Sequence, residues 1–304
     1  MNLYNQIDSN KRKTMIFIIG FILFITGLSW VIGMALDVGG PSFLAIAAII
    51  SIIISVIAYY GSDKMVLAIA GAKEIKKSDN PELYRIVENL CIAAGLPQPK
   101  VYIIEDSAPN AFATGRDPNH AVVAVTSGLL DKLEKVELEG VIAHELSHIG
   151  NYDMRLMTIV SILAGTVVLL SDLFLRFTWW GGRGRKSSRE GNGQVQLIIF
   201  ILAIILAILS PIIAQLIKLA ISRKREFLAD ASSAMITRNP EGLARALLKI
   251  SADTEPLEVA NKATAHMYII SPFKAVGENK VGWLTSLFST HPPIAERVKA
   301  LRGM

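Results

Sequence analysis

Uncharged apolar runs alternate with polar, helix-periodic segments along this chain, and the alternation divides it into four parts. Met15 to Met34 is a run of twenty residues without a charge, directly preceded by Lys11-Arg12-Lys13. It is long enough to cross the hydrocarbon layer of a bilayer. Phe43 to Tyr60 is a second uncharged run, and the turn between the two holds Asp37, Gly39, Gly40 and Pro41 but no Lys or Arg. Lys64, Lys73, Lys76 and Lys77 follow. Positive residues collect on the cytoplasmic side of a membrane, so residues 1–63 are expected to form a helical hairpin with both ends in the cytoplasm. A cleaved signal peptide is the competing reading, but the apolar core is longer than such peptides carry and a second run follows closely.

Residues 156–221 hold a second apolar pair. Leu156 to Leu175 contains Asp172, and Leu197 to Leu219 contains Pro211 and Lys218. The Gly-rich loop between them, Gly181 to Gly193, carries Arg183, Arg185, Lys186 and Arg189. A spanning hairpin puts these four basic residues on the far side, against the charge rule. A loop kept in the cytoplasm leaves much apolar surface to bury in protein or interface. The reading adopted is a spanning or deeply embedded pair, giving about four hydrophobic helices in all. Residues 64–155 and 222–304 read as polar. Within the first, Pro81 to Ala94 has the spacing of an amphipathic helix, Val101 to Ile104 and Ala121 to Thr126 read as strands, and Leu129 to Asn151 returns to helical spacing. The expected fold is α+β, mostly α.

Composition agrees with a membrane protein: 52% of residues are hydrophobic and 19% charged, against about 45–50% and about 25% in ordinary globular chains. The net charge of +5 arises beside apolar runs, so lipid and not nucleic acid is the expected partner. Cys91 is the single cysteine. It excludes an intrachain disulfide, and any metal must be held by His and carboxylates.

His144-Glu145-Leu146-Ser147-His148 lies inside the last helical segment of residues 64–155. Histidines at i and i+4 share a helical face and can reach one metal ion. The carboxylate of Glu145 can take the proton of a water that the metal acidifies. A catalytic zinc of this kind needs a third protein ligand and an open fourth position. A histidine six residues after His148 would mark another class, but Met154 stands there. Downstream, Arg223-Lys224-Arg225-Glu226-Phe227-Leu228-Ala229-Asp230 offers Glu226 as the ligand. Asp230, one turn later on the same face, can accept a hydrogen bond from a ligand histidine and fix its tautomer. The alternative is a solvated helix with Arg/Glu pairs. Because Glu226 must meet the histidines, the chain between them crosses the membrane an even number of times or never.

With Asn110-Ala111-Phe112-Ala113-Thr114-Gly115, Asn151, Asp153 and Thr290-His291-Pro292-Pro293 added, most of the chain resembles the HtpX family of membrane metalloproteases, kin of the CAAX prenyl endopeptidases. The resemblance implies a cytoplasm-facing zincin-type endopeptidase in the cell membrane that clears damaged or misfolded membrane proteins. It also implies one Zn²⁺ per chain on His144, His148 and Glu226, with Glu145 as general base. By the same resemblance, Asn110, Ala111, Phe112 and Ala113 form an edge strand that binds substrate by main-chain pairing, the alternative being a plain hairpin. His291 and Arg297 are placed to donate hydrogen bonds to the oxyanion formed on attack. Their alternative is a helix-start motif in which Thr290 caps, Pro292 opens the helix and Arg297 pairs with a neighbour. His120 is expected to face solvent, and His266 to be structural. The rivals to this reading are a prenyl-protein endopeptidase, a zinc-binding transporter, and a membrane scaffold whose structural zinc would be closed by four protein ligands.

Overall fold

The structure, a computed structural model, describes residues 3–35, 41–160, 162–163, 223–258, 264, 267–270 and 291–304. The expectations for the second apolar pair beyond residue 163, its basic loop and His266 lie outside the described residues.

Helices α1 (Leu3–Ala35) and α2 (Pro41–Ile69) pack against each other as the hairpin the sequence predicts. Both are longer than their apolar runs, because polar residues continue the helical backbone at the ends that lead toward the rest of the protein. Among the described residues, Leu44–Ile69 is long and apolar enough to cross a membrane. Ile16, Ile19 and Leu23 on α1, and Ile46, Ile49, Ile53 and Ile57 on α2, are each at least half exposed. Bare apolar faces of this extent require a nonaqueous cover. Phe21 and Ala58 on the inner side of the hairpin instead pack with Ile159, Ile162 and Leu163.

The sheet has the order β1-β2-β4-β3. Its strands are β1 (Lys73–Glu74), β2 (Lys100–Ile104), β3 (Ala111–Gly115) and β4 (Ala121–Thr126). Strand β4 runs parallel to β2 and antiparallel to β3, which therefore lies at an edge. The β3–β4 hairpin closes through the short 3-10 helix Pro118–His120, capped by Asp117. Gly115 makes that closure possible: its φ is 134°, and a Cβ there would stand 2.3 Å from the His120 carbonyl oxygen. The two-residue period of the strands separates two apolar layers. Ala111, Ala113, Val123 and Val125 face the main core, with Val141, Ile142 and Leu146. Phe112, Val122 and Ala124 face the other way, toward Val66, Leu67 and Ala70 at the end of α2 and toward Tyr268.

Helix α3 (Pro81–Ala94) has the bounds its spacing predicts: the Asn80 side chain caps the Leu83 N–H, Pro81 opens the helix, and Gly95 at φ 66° ends it. The predicted single helix over Leu129–Asn151 is instead two, α4 (Ser127–Lys132) and α5 (Lys135–Gly150). Leu133 and Glu134 are extended between them, and the Glu137 carboxylate accepts the Glu134 N–H at 2.9 Å, starting α5 afresh. Helix α5 is buried along nearly its whole length. Around it pack α3, α6 (Arg223–Thr237) and α7 (Pro240–Ala252), and α8 (Ile294–Arg302) closes on α6 and α7. Gly140 and Gly242 let α5 and α7 touch: a Cβ at either would lie 2.7 Å from backbone of the other segment. The result is a mostly helical α+β fold whose central helix carries the histidine pair.

Candidate metal centre

Helix α5 brings His144 and His148 onto one face, and α6 brings Glu226 up to them although it lies beyond residues 156–221. The Nε2 atoms of His144 and His148 are 3.2 Å apart. Glu226 Oε1 is 3.6 Å from His148 Nε2 and its Oε2 is 3.9 Å from His144 Nε2. All three side chains are buried, and their ligand atoms fit within 4.8 Å of one another. A tetrahedral ion with bonds of about 2.0–2.1 Å holds its ligands roughly 3.3 Å apart, so the triad has the span of a first-row divalent cation. The tautomers fit as well. His144 Nδ1 faces Asp230 Oδ1 at 2.9 Å, and His148 Nδ1 faces Asp153 Oδ2 at 3.3 Å. With Nδ1–H donated to a carboxylate on each ring, both Nε2 atoms are left to turn lone pairs toward a metal.

The two imidazoles are shifted in opposite directions. Burial lowers His144 to about 4, and Arg297 and His148 add to that effect against the pull of Asp230. His148 is raised to about 9: burial opposes its charge, but the bond to Asp153 and the charges of Glu226, Asp153 and Glu145 outweigh it. Glu226 is held well below the ordinary carboxylate range despite burial, by His291, His148 and Arg297.

Glu145 is 2% exposed. Burial lifts its carboxyl to about 7, the range in which a carboxylate can both take and return a proton at neutral pH. The Ala113 backbone N–H donates to it. The register explains this contact. Asn110 turns its carbonyl to Thr126 of β4, so Ala111 and Ala113 direct their main-chain groups away from the sheet. Ala111 accepts the Ile269 N–H at 3.0 Å, and Asn110 Nδ2 donates to the Ile270 carbonyl at 3.1 Å. Segment 110–113 is thus both a hairpin arm and an edge beside the metal ligands, but the Ala111 end of that edge is already paired.

His291 lies in the centre, with Nδ1 2.9 Å from Glu226 Oε2 and Nε2 buried with no partner among the described residues. Arg297 stands differently from the expectation that it serves an oxyanion. It is fully buried, and its Nε and Nη2 donate to the two oxygens of Asp230 at 2.9 and 2.7 Å while Nη1 donates to the Ile269 carbonyl at 3.1 Å. It thus grips Asp230, which faces His144 Nδ1, and its Nη1 also stands 3.7 Å from Glu226 Oε2. His120 is half exposed and paired with Asp117 at 2.8 Å. Cys91 is buried in the main core and its thiol is pushed up to about 11 by burial, so it stays protonated.

Comparison with known proteins gives this centre a lineage. The model of "Peptidase family M48" matches residues 77–304. The chain belongs to peptidase family M48. Curated relatives named "Protease HtpX homolog" extend the match to α1 and α2. The one from Dictyoglomus thermophilum is 45% identical over 99% of this chain and 94% of its own length. The one from Listeria monocytogenes is 46% identical over 99% of this chain and 100% of its own. This M48 peptidase is therefore an HtpX homologue, and its metal site is formed by His144, His148 and Glu226. The crystal structure of S. mikatae Ste24p shares the fold: TM-score 0.53 at 20% identity, covering 98% of this chain and 66% of that one.

Sequence reasoning missed the role of Asp153, quoted there only as part of a family motif, and missed Asn10 and Arg225 entirely. Asp153 five residues after His148 is a signal available in the sequence. The other two meet it only through tertiary packing.

Proposed function

We propose that this chain is a membrane-held zinc endopeptidase that cuts damaged or misfolded membrane proteins on the cytoplasmic side. The observation that carries the reading is the meeting of His144, His148 and Glu226 around one ion-sized space, with the Glu145 carboxylate beside it. Three protein ligands of the His/His/carboxylate type suit one Zn²⁺ per chain and leave a position for water and substrate. A structural zinc would require a fourth protein ligand. When bound, zinc supplies Lewis acidity that polarises the peptide carbonyl and makes water acidic.

The remaining steps belong to the protein. Glu145 takes a proton from the attacking water and returns it to the departing amine, a task helped by the burial that raises its carboxyl. His291, as an imidazolium with Nδ1–H donated to Glu226, has an Nε2–H to donate to the oxygen of the attacked carbonyl. Arg297 and Asp230 hold His144 in its ligand tautomer. Substrate backbone pairs with the Ala113 carbonyl on the outward face of β3, past the Ala111 end that Ile269 occupies, and pairing through main chain accepts many sequences. The bare apolar faces of α1 and α2, with Lys11, Arg12 and Lys13 at the start of the first run, support a lipid-embedded hairpin whose polar ends lie in the cytoplasm.

Glu145→Gln tests the mechanism: zinc content and fold are retained and cleavage of an unfolded test protein is abolished. Undiminished cleavage by this variant removes the mechanism. The shared fold with Ste24p keeps a prenyl-protein endopeptidase as second reading. Faster cleavage of a prenylated peptide than of a casein-like unfolded protein would favour it.

A further inference from the structure

The first helix carries a buried polar side chain that a membrane anchor does not need. Asn10 is 1% exposed, and both ends of its carboxamide are employed. Nδ2 donates to the Asn151 carbonyl at 2.9 Å and to Asp153 Oδ1 at 2.7 Å, and Oδ1 accepts from Arg225 Nη1 at 3.1 Å. Asp153 is the carboxylate whose other oxygen faces His148 Nδ1 at 3.3 Å. Its 1% exposure leaves its orientation to these few contacts.

The turn that carries Asp153 back onto His148 is itself held from α1. Helix α5 ends at Gly150, and Tyr152 then adopts φ 58°, a left-handed conformation that a bulky L residue keeps only where its surroundings impose it. Asn10 binds the Asn151 carbonyl just before Tyr152, and the Lys11 ammonium lies 4.6 Å from the centroid of the Tyr152 ring. Two consecutive α1 residues therefore grip the turn from a point 141 residues away in sequence.

We propose that Asn10 is a positioning residue of the metal centre, acting through Asp153 on His148, so that the centre is complete only when the first helix is docked. The inference rests on the peptidase reading only in taking His148 as a metal ligand. Without the carboxamide, Asp153 Oδ1 is left to Arg225, whose Nε already stands 3.4 Å away. The carboxylate can then turn from His148, and the imidazole loses the partner that fixes its tautomer. Outer contacts of this kind typically change metal affinity about 10–100-fold.

The test uses the full chain purified in detergent. Zinc loss to excess chelator, the visible spectrum of the cobalt-loaded protein and the Tm of the metal-free protein are measured for wild type, Asn10→Ala, Asn10→Asp, Arg12→Ala, Asp153→Ala and the Asn10→Ala/Asp153→Ala double variant. Asn10→Asp keeps the shape and the acceptor for Arg225 while removing the donors to Asp153 and to the Asn151 carbonyl. The expected result is zinc loss roughly tenfold faster in both Asn10 variants, with a shifted cobalt spectrum. Arg12→Ala, exposed on the same helix, behaves as wild type. The double variant loses zinc no faster than Asp153→Ala alone, because Asn10 acts through Asp153. Additive losses in the double variant overturn the proposal. So does zinc loss that follows Tm alone with an unchanged cobalt spectrum, which is the signature of simple helix docking. Wild-type protein that holds zinc without cleaving an unfolded substrate, while Asn10→Ala still releases zinc faster, contradicts the peptidase reading and supports the positioning role.

Discussion

His144 and His148 stand one helical turn apart and face the same ion-sized space, yet the structure supports them by different means. Behind His144 is Asp230, clamped at both oxygens by Arg297, a pair built entirely from the C-terminal helices α6 and α8. Behind His148 is Asp153, held through a single oxygen by Asn10 of α1 and, at 3.4 Å, by Arg225. Arg297 also reaches His144 itself, at 3.5 Å, so its charge opposes protonation of that ring. His148 sits among the charges of Asp153, Glu226 and Glu145. The contrast teaches that a carboxylate behind a ligand histidine does not by itself set the charge of the ring. Burial lowers both rings, and only around His148, with Asp153, Glu226 and Glu145, do carboxylates outweigh it. One ring is ready for metal as a neutral base, and the other exchanges a proton for it.

The largest effect is expected where that clamp is broken. Arg297→Leu leaves Asp230 charged and buried without its partner, a loss of about 3–5 kcal/mol in denaturation of the metal-free protein. A change below about 1 kcal/mol would mean that the clamp is incidental. On the other side, Asp153→Ala is expected to weaken zinc binding about 10–100-fold in a competition titration while the fold persists. Equal destabilisation of the fold by both variants would erase the distinction between the two supports.

Much of this centre was legible in sequence because its chemistry is carried at helical spacings. His144, Glu145 and His148 occupy one turn of α5, and Glu226 and Asp230 one turn of α6, so local periodicity named both halves and the need for a third ligand joined them. Helix α3 was equally legible, since Asn80, Pro81 and Gly95 mark its ends chemically. The break between α4 and α5 was missed because Leu133 carries no breaker signal and Glu134 opens the next helix through a partner three residues on. Strand β1 was missed because two residues show no period. Arg297 was given an oxyanion role by family resemblance, with pairing to a neighbour as the alternative, and its fork geometry toward Asp230 exists only in three dimensions. Asn10 and Asp153, 143 residues apart, meet through packing that no local pattern records.

The smallest effect sharpens the comparison through pH. His148, raised to about 9, binds a proton throughout neutral pH, whereas His144, at about 4, does not. Zinc uptake should therefore release the His148 proton, and apparent zinc affinity should rise with pH across the neutral range. A flat response would mean that neither ring is charged. The sign for the metal-free fold is opposite. The raised pKa of His148 stabilises it fully below the ordinary value of 6.5, and that contribution fades as pH climbs through about 9.

The central claim is that residues from both sides of 156–221 close around a single ion, and X-ray absorption at the zinc edge reads this directly. The purified protein should hold one zinc per chain with two imidazole nitrogens and light oxygen ligands at about 2.0–2.2 Å. Glu226→Ala should lose a carboxylate oxygen from that shell while both imidazoles remain. A shell with one imidazole or with sulfur, or a shell that Glu226→Ala leaves unchanged, would contradict the account.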